Sequence, residues 1–367
     1  EMCIRDRYIF VAIGLSMVSH VSARVTSDDI APYVYPRNAS ASPSAMTYLN
    51  DGKSYVALND DATKIVIYDI KSGKETGILL DVSTTRESKI KSIEGFSMSP
   101  DESHILVYET SKPIYRRSSV AAHYVYEVRH NVLKPLSEAH PVQRSPIWSP
   151  DGRMIAFVAD NNIFISKLDY NTEVAVTTDG AVNRIINGVP DWVYEEEFST
   201  VCSMAWAPDN MTLCYIKYNE TEVPMYSFPL YEGTCEPMPQ YTLYPGSYTY
   251  KYPVAGEPNS RVSLHSYDID NRKTKDIVFE DARIEYIPRI NYAGIPERLI
   301  VTTLNRAQNR LEMYVVNPKS TVKKSLYVDE TSTGWIDPMA WENTRFYPDF
   351  FVVSSETVSY THLRAHE

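Results

Sequence analysis

A short turn-forming unit returns four times along this chain. It appears as Tyr48-Leu-Asn-Asp-Gly-Lys-Ser-Tyr-Val, Phe96-Ser-Met-Ser-Pro-Asp-Glu, Ile147-Trp-Ser-Pro-Asp-Gly and Met204-Ala-Trp-Ala-Pro-Asp-Asn. The turn aspartates are Asp51, Asp101, Asp151 and Asp209, so the steps are 50, 50 and 58 residues. Few architectures repeat on that scale, and a propeller blade is the one built from strands. Within each unit a strand carrying an aromatic leads into a Pro-Asp-Gly type turn and then into an alternating apolar strand, the pattern of a β-hairpin. A second pair follows the hairpin, as in Asn162-Ile-Phe-Ile-Ser-Lys-Leu-Asp and Glu173-Val-Ala-Val, and completes four strands. Four strands cannot bury both of their faces alone, so neighbouring blades must stack. A β-sandwich uses similar hairpins but does not repeat at this period. The expected fold is all-β, a β-propeller of four-stranded blades over residues 24–357. About six blades fit, the last beginning at Trp335 and interrupted at Glu356.

Composition agrees with strands and removes several classes of partner. The chain holds 28 Tyr, 10 Phe and 5 Trp but only 13 Gly, and aromatic side chains favour pleated surfaces. A formal charge of -11 argues against nucleic acid, whose binding needs clustered Lys and Arg. No Cys-x-x-Cys spacing and no Gly-rich phosphate loop occurs, so no metal or other cofactor is expected. The apolar run from Tyr8 to Val18, followed by Val21-Ser22-Ala23, reads as a signal peptide over residues 8–23 with cleavage after Ala23. That places the protein in a secreted or periplasmic compartment, an uncleaved signal serving as a membrane anchor being the alternative. Residues 1–7 and 358–367 fit no strand pattern and resemble translated sequencing-adaptor read-through, so both are set aside from fold reasoning. Cleavage would leave Cys202, Cys214 and Cys235, an odd number. Cys202 and Cys214 flank the turn at Pro208-Asp209-Asn210; a bridge across that hairpin is one reading, and buried free thiols are the reading that strand geometry favours.

The densest acidic segment is Asp191-Trp-Val-Tyr-Glu-Glu-Glu197. Three consecutive glutamates usually form a solvated run, but Trp192, Val193, Tyr194 and Phe198 around them would bury at least part of it. A buried carboxylate is costly without a cation. Adjacent glutamates share no face of a helix or strand, so an irregular turn is expected, aiming two carboxylates at one ammonium.

This string resembles the glutamate motif of the dipeptidyl peptidase IV family. The resemblance continues in Thr221-Glu-Val-Pro-Met-Tyr-Ser-Phe, Tyr252-Pro-Val-Ala-Gly-Glu-Pro-Asn, Glu285-Tyr-Ile-Pro-Arg-Ile, Arg306-Ala-Gln-Asn and Ser332-Thr-Gly-Trp, and covers roughly residues 30 to 356. It implies eight blades in the complete domain. It also implies that Glu196 and Glu197 hold the free amino terminus of a peptide substrate. Arg116, in Tyr115-Arg-Arg-Ser-Ser, then contacts the peptide carbonyl and helps hold the glutamate segment, with Arg117 as the neighbouring alternative. The implied reaction is release of N-terminal X-Pro or X-Ala dipeptides by a Ser-Asp-His triad on a C-terminal α/β-hydrolase domain, in a protein that often forms homodimers. This chain has no Gly-x-Ser-x-Gly nucleophile elbow, so no catalytic residue is expected within it. The alternative from another class is a non-enzymatic propeller that binds peptides or proteins. Such a scaffold shares the turns but has no need of the glutamate string.

Overall fold

The computed structural model describes residues 46–233, 238–337, 342, 344–347, 350–355 and 362–366. The signal-peptide expectation at residues 8–23, the segment 1–7, Cys3 and Cys235 lie outside them. The described strands all fall in one unit, Thr47–Glu367.

The strands group into successive antiparallel sheets, as the repeat predicts. The first holds Thr47–Tyr48, Ser54–Leu58, Lys64–Asp69 and Glu75–Asp81 in chain order. In the second, Gly95–Met98, His104–Pro113, Ser119–Glu127 and Val132–Pro135 form the meander, and Arg86–Glu87 adds a short parallel strand beside Val132–Pro135. The third is Arg144–Trp148, Met154–Ala159, Asn162–Lys167 and Thr172–Ala175. In the fourth, Ile185–Asn187 and Met204–Trp206 both pair with Thr212–Asn219, followed by Arg261–Asp268 and Lys273–Ile277. Ile284–Tyr292, Leu299–Asn305, Arg310–Val316 and Lys323–Glu330 make the fifth. A three-stranded sheet, Arg345–Phe346, Phe351–Ser355 and His362–His366, comes last. The final strand runs through the segment that the sequence reading set aside as patternless; its backbone pairs with Phe351–Ser355.

The recurring aspartates have one job. In each hairpin the residue after the aspartate adopts positive φ: Gly52 (64°), Glu102 (61°), Gly152 (72°) and Asn210 (62°). The aspartate carboxylate accepts the N–H two residues on, from Lys53 at 2.7 Å, Ser103 at 3.1 Å, Arg153 at 3.1 Å and Met211 at 3.0 Å. An Asx-type bond of this kind fixes the turn before any tertiary contact forms. The turns also join neighbouring blades. Asn210 Oδ1 accepts the Asp151 N–H at 2.9 Å, and the Asn50 amide donates to the Pro100 carbonyl at 2.9 Å. The aromatic of the motif works across the same seams, Trp148 Nε1 donating to Ser97 Oγ at 3.1 Å and Trp206 Nε1 to the Ile147 carbonyl at 3.4 Å.

Apolar residues on the alternating faces then fill the spaces between sheets. Val56, Ile65, Leu80, Ile105, Val107 and Leu133 pack the first blade on the second. Leu106, Ile155 and Phe157 join the second to the third. A larger cluster, including Ile163, Tyr194, Leu213, Tyr218, Leu299 and Val301, runs from the third blade onward. The 58-residue step and the later drift of the repeat have a visible cause, because blade four carries two excursions. One is the glutamate segment between its first two strands. The other is a hairpin, Met225–Leu230 with Gly246–Lys251, that forms a two-stranded sheet of its own. Cys202 and Cys214 are both free. Ala205 is the residue opposite Cys214, so the hairpin register does not bring the two thiols face to face, and burial pushes Cys202 up to about 11 and Cys214 up to about 12.

Candidate functional site

The glutamate segment is a short α-helix, Trp192–Phe198, where an irregular turn was expected. Asp191 caps it, its carboxylate accepting the Tyr194 N–H at 3.0 Å, and such a cap supplies one of the donors' missing partners at a helix start. Ser260 donates a hydroxyl bond to the other Asp191 oxygen. Tyr194 and Phe198 are each 1% exposed and stack edge to face at 5.2 Å, while the Tyr194 hydroxyl accepts the Ile287 N–H at 2.9 Å. At the far end Arg289 donates to the Phe198 carbonyl and pairs with Glu342 at 2.7 Å, a favourable position for a cation. The helix is therefore held by blades four and five at both ends.

Consecutive residues on a helix point about 100° apart, so the three glutamates enter three environments. Glu195 is fully buried. Its Oε1 accepts the backbone N–H groups of Arg117 at 2.7 Å and Ser118 at 2.8 Å, both in the second blade. Glu196 is half-buried and pairs with Arg116 Nη2 at 2.8 Å. Glu197 is exposed. The sequence reading left Arg116 and Arg117 open, and the fold divides the labour: Arg116 offers its guanidinium to Glu196, and Arg117 offers its main-chain N–H to Glu195. The Arg116 side chain is 70% exposed, so water screens the pair and its contribution to stability is small. Its effect is to hold both groups ready at the surface.

Around this contact sits a layer that the sequence did not announce. Tyr115 packs its ring on Tyr250 of the inserted hairpin at 5.7 Å, and Trp192 packs at a tilt against Tyr252 at 4.2 Å. Burial and the nearby Glu220 and Asp191 carboxylates raise the Tyr115 phenol well above its ordinary value, Arg144 opposing them. Asp191 is raised by burial, against the bonds from Ser260 and Tyr194. Glu220 is pushed up to about 7 by burial first and by Asp191 second, with Lys251 working the other way. Glu195, Glu220 and Arg144 were all missed. The one available signal was Asp191 itself, an N-cap residue type placed just before the Trp192–Phe198 segment, with Glu195 in the first turn.

A separate cleft of about 580 Å³ opens between blades four and five. On its wall Ser263 Oγ lies 2.7 Å from His265 Nε2, and His265 Nδ1 lies 2.8 Å from Asp276 Oδ1. Strand alternation places Ser263 and His265 on one face, and His265 stands directly opposite Asp276. The order of side chains is that of a hydrolytic triad, but Asp276 is 73% exposed and its charge is spent on water. Burial and Lys217 together depress the His265 imidazole. The trio is a polar network of the blade surface.

The family described as the dipeptidyl peptidase IV (DPP IV) N-terminal region matches residues 99–367. The chain belongs to that family. Relatives of this N-terminal region include the probable dipeptidyl-aminopeptidase B of Arthroderma benhamiae, 32% identical over 256 residues, which span 65% of this chain and 28% of that protein. The Aspergillus niger protein of the same description is 29% identical over 318 residues, 82% of this chain and 34% of the relative. Among solved structures, Porphyromonas gingivalis dipeptidyl peptidase 4 superposes with a TM-score of 0.81 at 42% identity, covering 88% of this chain and 45% of that one. A putative dipeptidyl aminopeptidase IV from Bacteroides ovatus shares the fold at TM-score 0.61 and 16% identity. The chain thus spans less than half the length of the solved relatives and about a third of the curated ones.

Proposed function

We propose that this propeller recognises the free amino terminus of peptides and gates their access to a serine exopeptidase centre that releases X-Pro and X-Ala dipeptides. One observation carries the reading. Glu196 is fixed on a helix anchored at both ends and already holds a cationic group, Arg116 at 2.8 Å, while Glu197 stands beside it in solvent. A peptide ammonium is a compact cation with three donors, and two neighbouring carboxylates can accept it by charge-assisted hydrogen bonds. Binding of the ammonium favours ionisation of both. Arg116 is then released in part towards the first peptide carbonyl.

Holding the terminus at a fixed point turns the site into a ruler: the distance to the nucleophile selects the second peptide bond. A chain with no free terminus at that point offers the two carboxylates no ammonium and forgoes the charge-assisted hydrogen bonds that hold the peptide there. The Ser-Asp-His triad in this reading belongs to an α/β-hydrolase domain outside this chain, in an exported protein that pairs as a homodimer. The relatives are dipeptidyl-aminopeptidases, which supports the exopeptidase class.

The test is calorimetry on this chain with an Ala-Pro or Gly-Pro peptide, free or N-acetylated. Acetylation removes the ammonium and should weaken binding by about 10-fold to 100-fold, the worth of one charged hydrogen bond or more. Glu196→Gln or Glu197→Gln should weaken the free peptide by at least about 10-fold and leave the acetylated one unchanged. Equal binding of both peptides would favour the scaffold alternative. The chain should also show no turnover of an Ala-Pro anilide.

A further inference from the structure

The strand Arg144–Trp148 opens the third blade with an irregularity. Its register against Met154–Ala159 shifts between Arg144 and Ile147, and Ser145 there takes φ of 46°, a left-handed conformation that a side-chain-bearing residue adopts at a cost. Ser145 Oγ donates to the Val201 carbonyl at 2.7 Å, tying the distortion to the segment just after the glutamate helix. Bulges of this kind re-aim a side chain, and the side chain concerned is Arg144. Its Nε and Nη2 are buried and have no hydrogen-bond partner among the described residues.

Glu195 Oε2 and Ser118 Oγ are likewise buried with no hydrogen-bond partner among the described residues. A buried guanidinium and a buried carboxylate are each expensive alone, and each offsets the cost of the other. The charges do feel one another: burial pulls the Arg144 guanidinium down, and Tyr115 and Glu195 hold it up. Tyr115 and Ser118 belong to the second blade, Arg144 to the third, and Glu195 to the fourth. Residues of three blades therefore contribute buried charges that act on one another, and Tyr115 and Glu195 adjoin in sequence the Arg116–Glu196 contact.

We infer that Arg144 is a positioning residue for amino-terminus recognition, supplying the buried positive charge that keeps Glu195 clamped on the Arg117 and Ser118 N–H groups and so holds Arg116 and Glu196 in register. The functional half of this inference rests on the recognition reading above; the structural half does not.

Hydrogen exchange separates the two. In Arg144→Met the carboxylate loses its counter-charge, and exchange of the segment 115–118 should speed up at least about 10-fold, while Met154–Ala159 in the same blade keeps its protection. Arg144→Lys retains the charge and should keep segment 115–118 slow. The free peptide should bind Arg144→Met at least about 10-fold more weakly, with the acetylated peptide unaffected. Unchanged protection of 115–118 in a folded Arg144→Met overturns the inference. If that variant does not fold, adding Glu195→Gln removes the stranded negative charge and should restore folding; a double variant as unstable as the single one overturns it equally. A wild-type chain indifferent to acetylation would sink the recognition reading and leave the exchange result standing.

Discussion

A carboxylate that loses its water must find a cation or a proton, and Glu220 has found neither in full. It is 5% exposed, and its pKa is pushed up to about 7 by burial and by Asp191. A carboxyl with a raised folded pKa favours folding most where it is protonated in both states, below its ordinary value of 4.5. That advantage is lost as pH rises from there to about 7, because the unfolded chain ionises first. Buried His123 and His265, both depressed by burial, slope the other way in an overlapping range, so the isolating measurement is a difference between variants. Glu220→Gln should gain stability relative to wild type by about 1–3 kcal/mol between pH 5 and pH 8 in urea unfolding; a pH-independent difference would show that Glu220 is not the titrating group. None of this was legible beforehand. Glu220 lies in Asn219-Glu-Thr-Glu222, which reads as a solvated turn, yet it is buried and within the influence of Lys251 on the inserted hairpin. Glu196 and Arg116 were legible only through resemblance, because pairing across 80 residues of chain leaves no local trace.

Turns were the most readable elements, since their chemistry is local. Pro-Asp-Gly states its own conformation: the aspartate bonds two residues ahead and the glycine takes positive φ. What the motif did not reveal is that the turns also touch. A Cβ on Gly152 would lie 3.1 Å from Asp101 Oδ1 and 3.1 Å from Ser99 Cβ in the neighbouring blade, whereas one on Gly52 would meet nothing within 4 Å. Both glycines have similar φ, 72° and 64°, so Ala carries the same backbone penalty at each, about 1–2 kcal/mol. Gly152→Ala should therefore destabilise by about 1 kcal/mol more than Gly52→Ala, read as a difference in urea midpoints. Equal losses would mean that the inter-blade contact carries no weight. The helix Trp192–Phe198 was misread as an irregular turn for an instructive reason. Asking two adjacent carboxylates to converge excluded a helix, yet the helix serves by sending the first glutamate inward and leaving the next two for the surface.

At the scale of the molecule, the period of the sequence specified the blades, because a unit that cannot bury its own faces must repeat to be stable. The drift after blade four reflects inserted segments and not a change of architecture. The outermost sheets leave apolar side chains in water: Tyr48 and Ile78 in the first blade are 65% and 49% exposed, and Tyr347 and Phe350 near the last are 50% and 41% exposed. Open strand edges and such patches promote association. The chain should self-associate in a concentration-dependent way on sizing with light scattering, and a monomer at every concentration would contradict the exposed-edge picture.

Glu195 reaches from the fourth blade to the second and passes over the third. Arg116–Glu196 and Tyr115–Tyr250 span the same two blades, so the three contacts together make a chord, and a chord fixes curvature. Blades two to four are thereby braced as one sector, so loosening between blades is displaced to the seams where the described residues place no such strut.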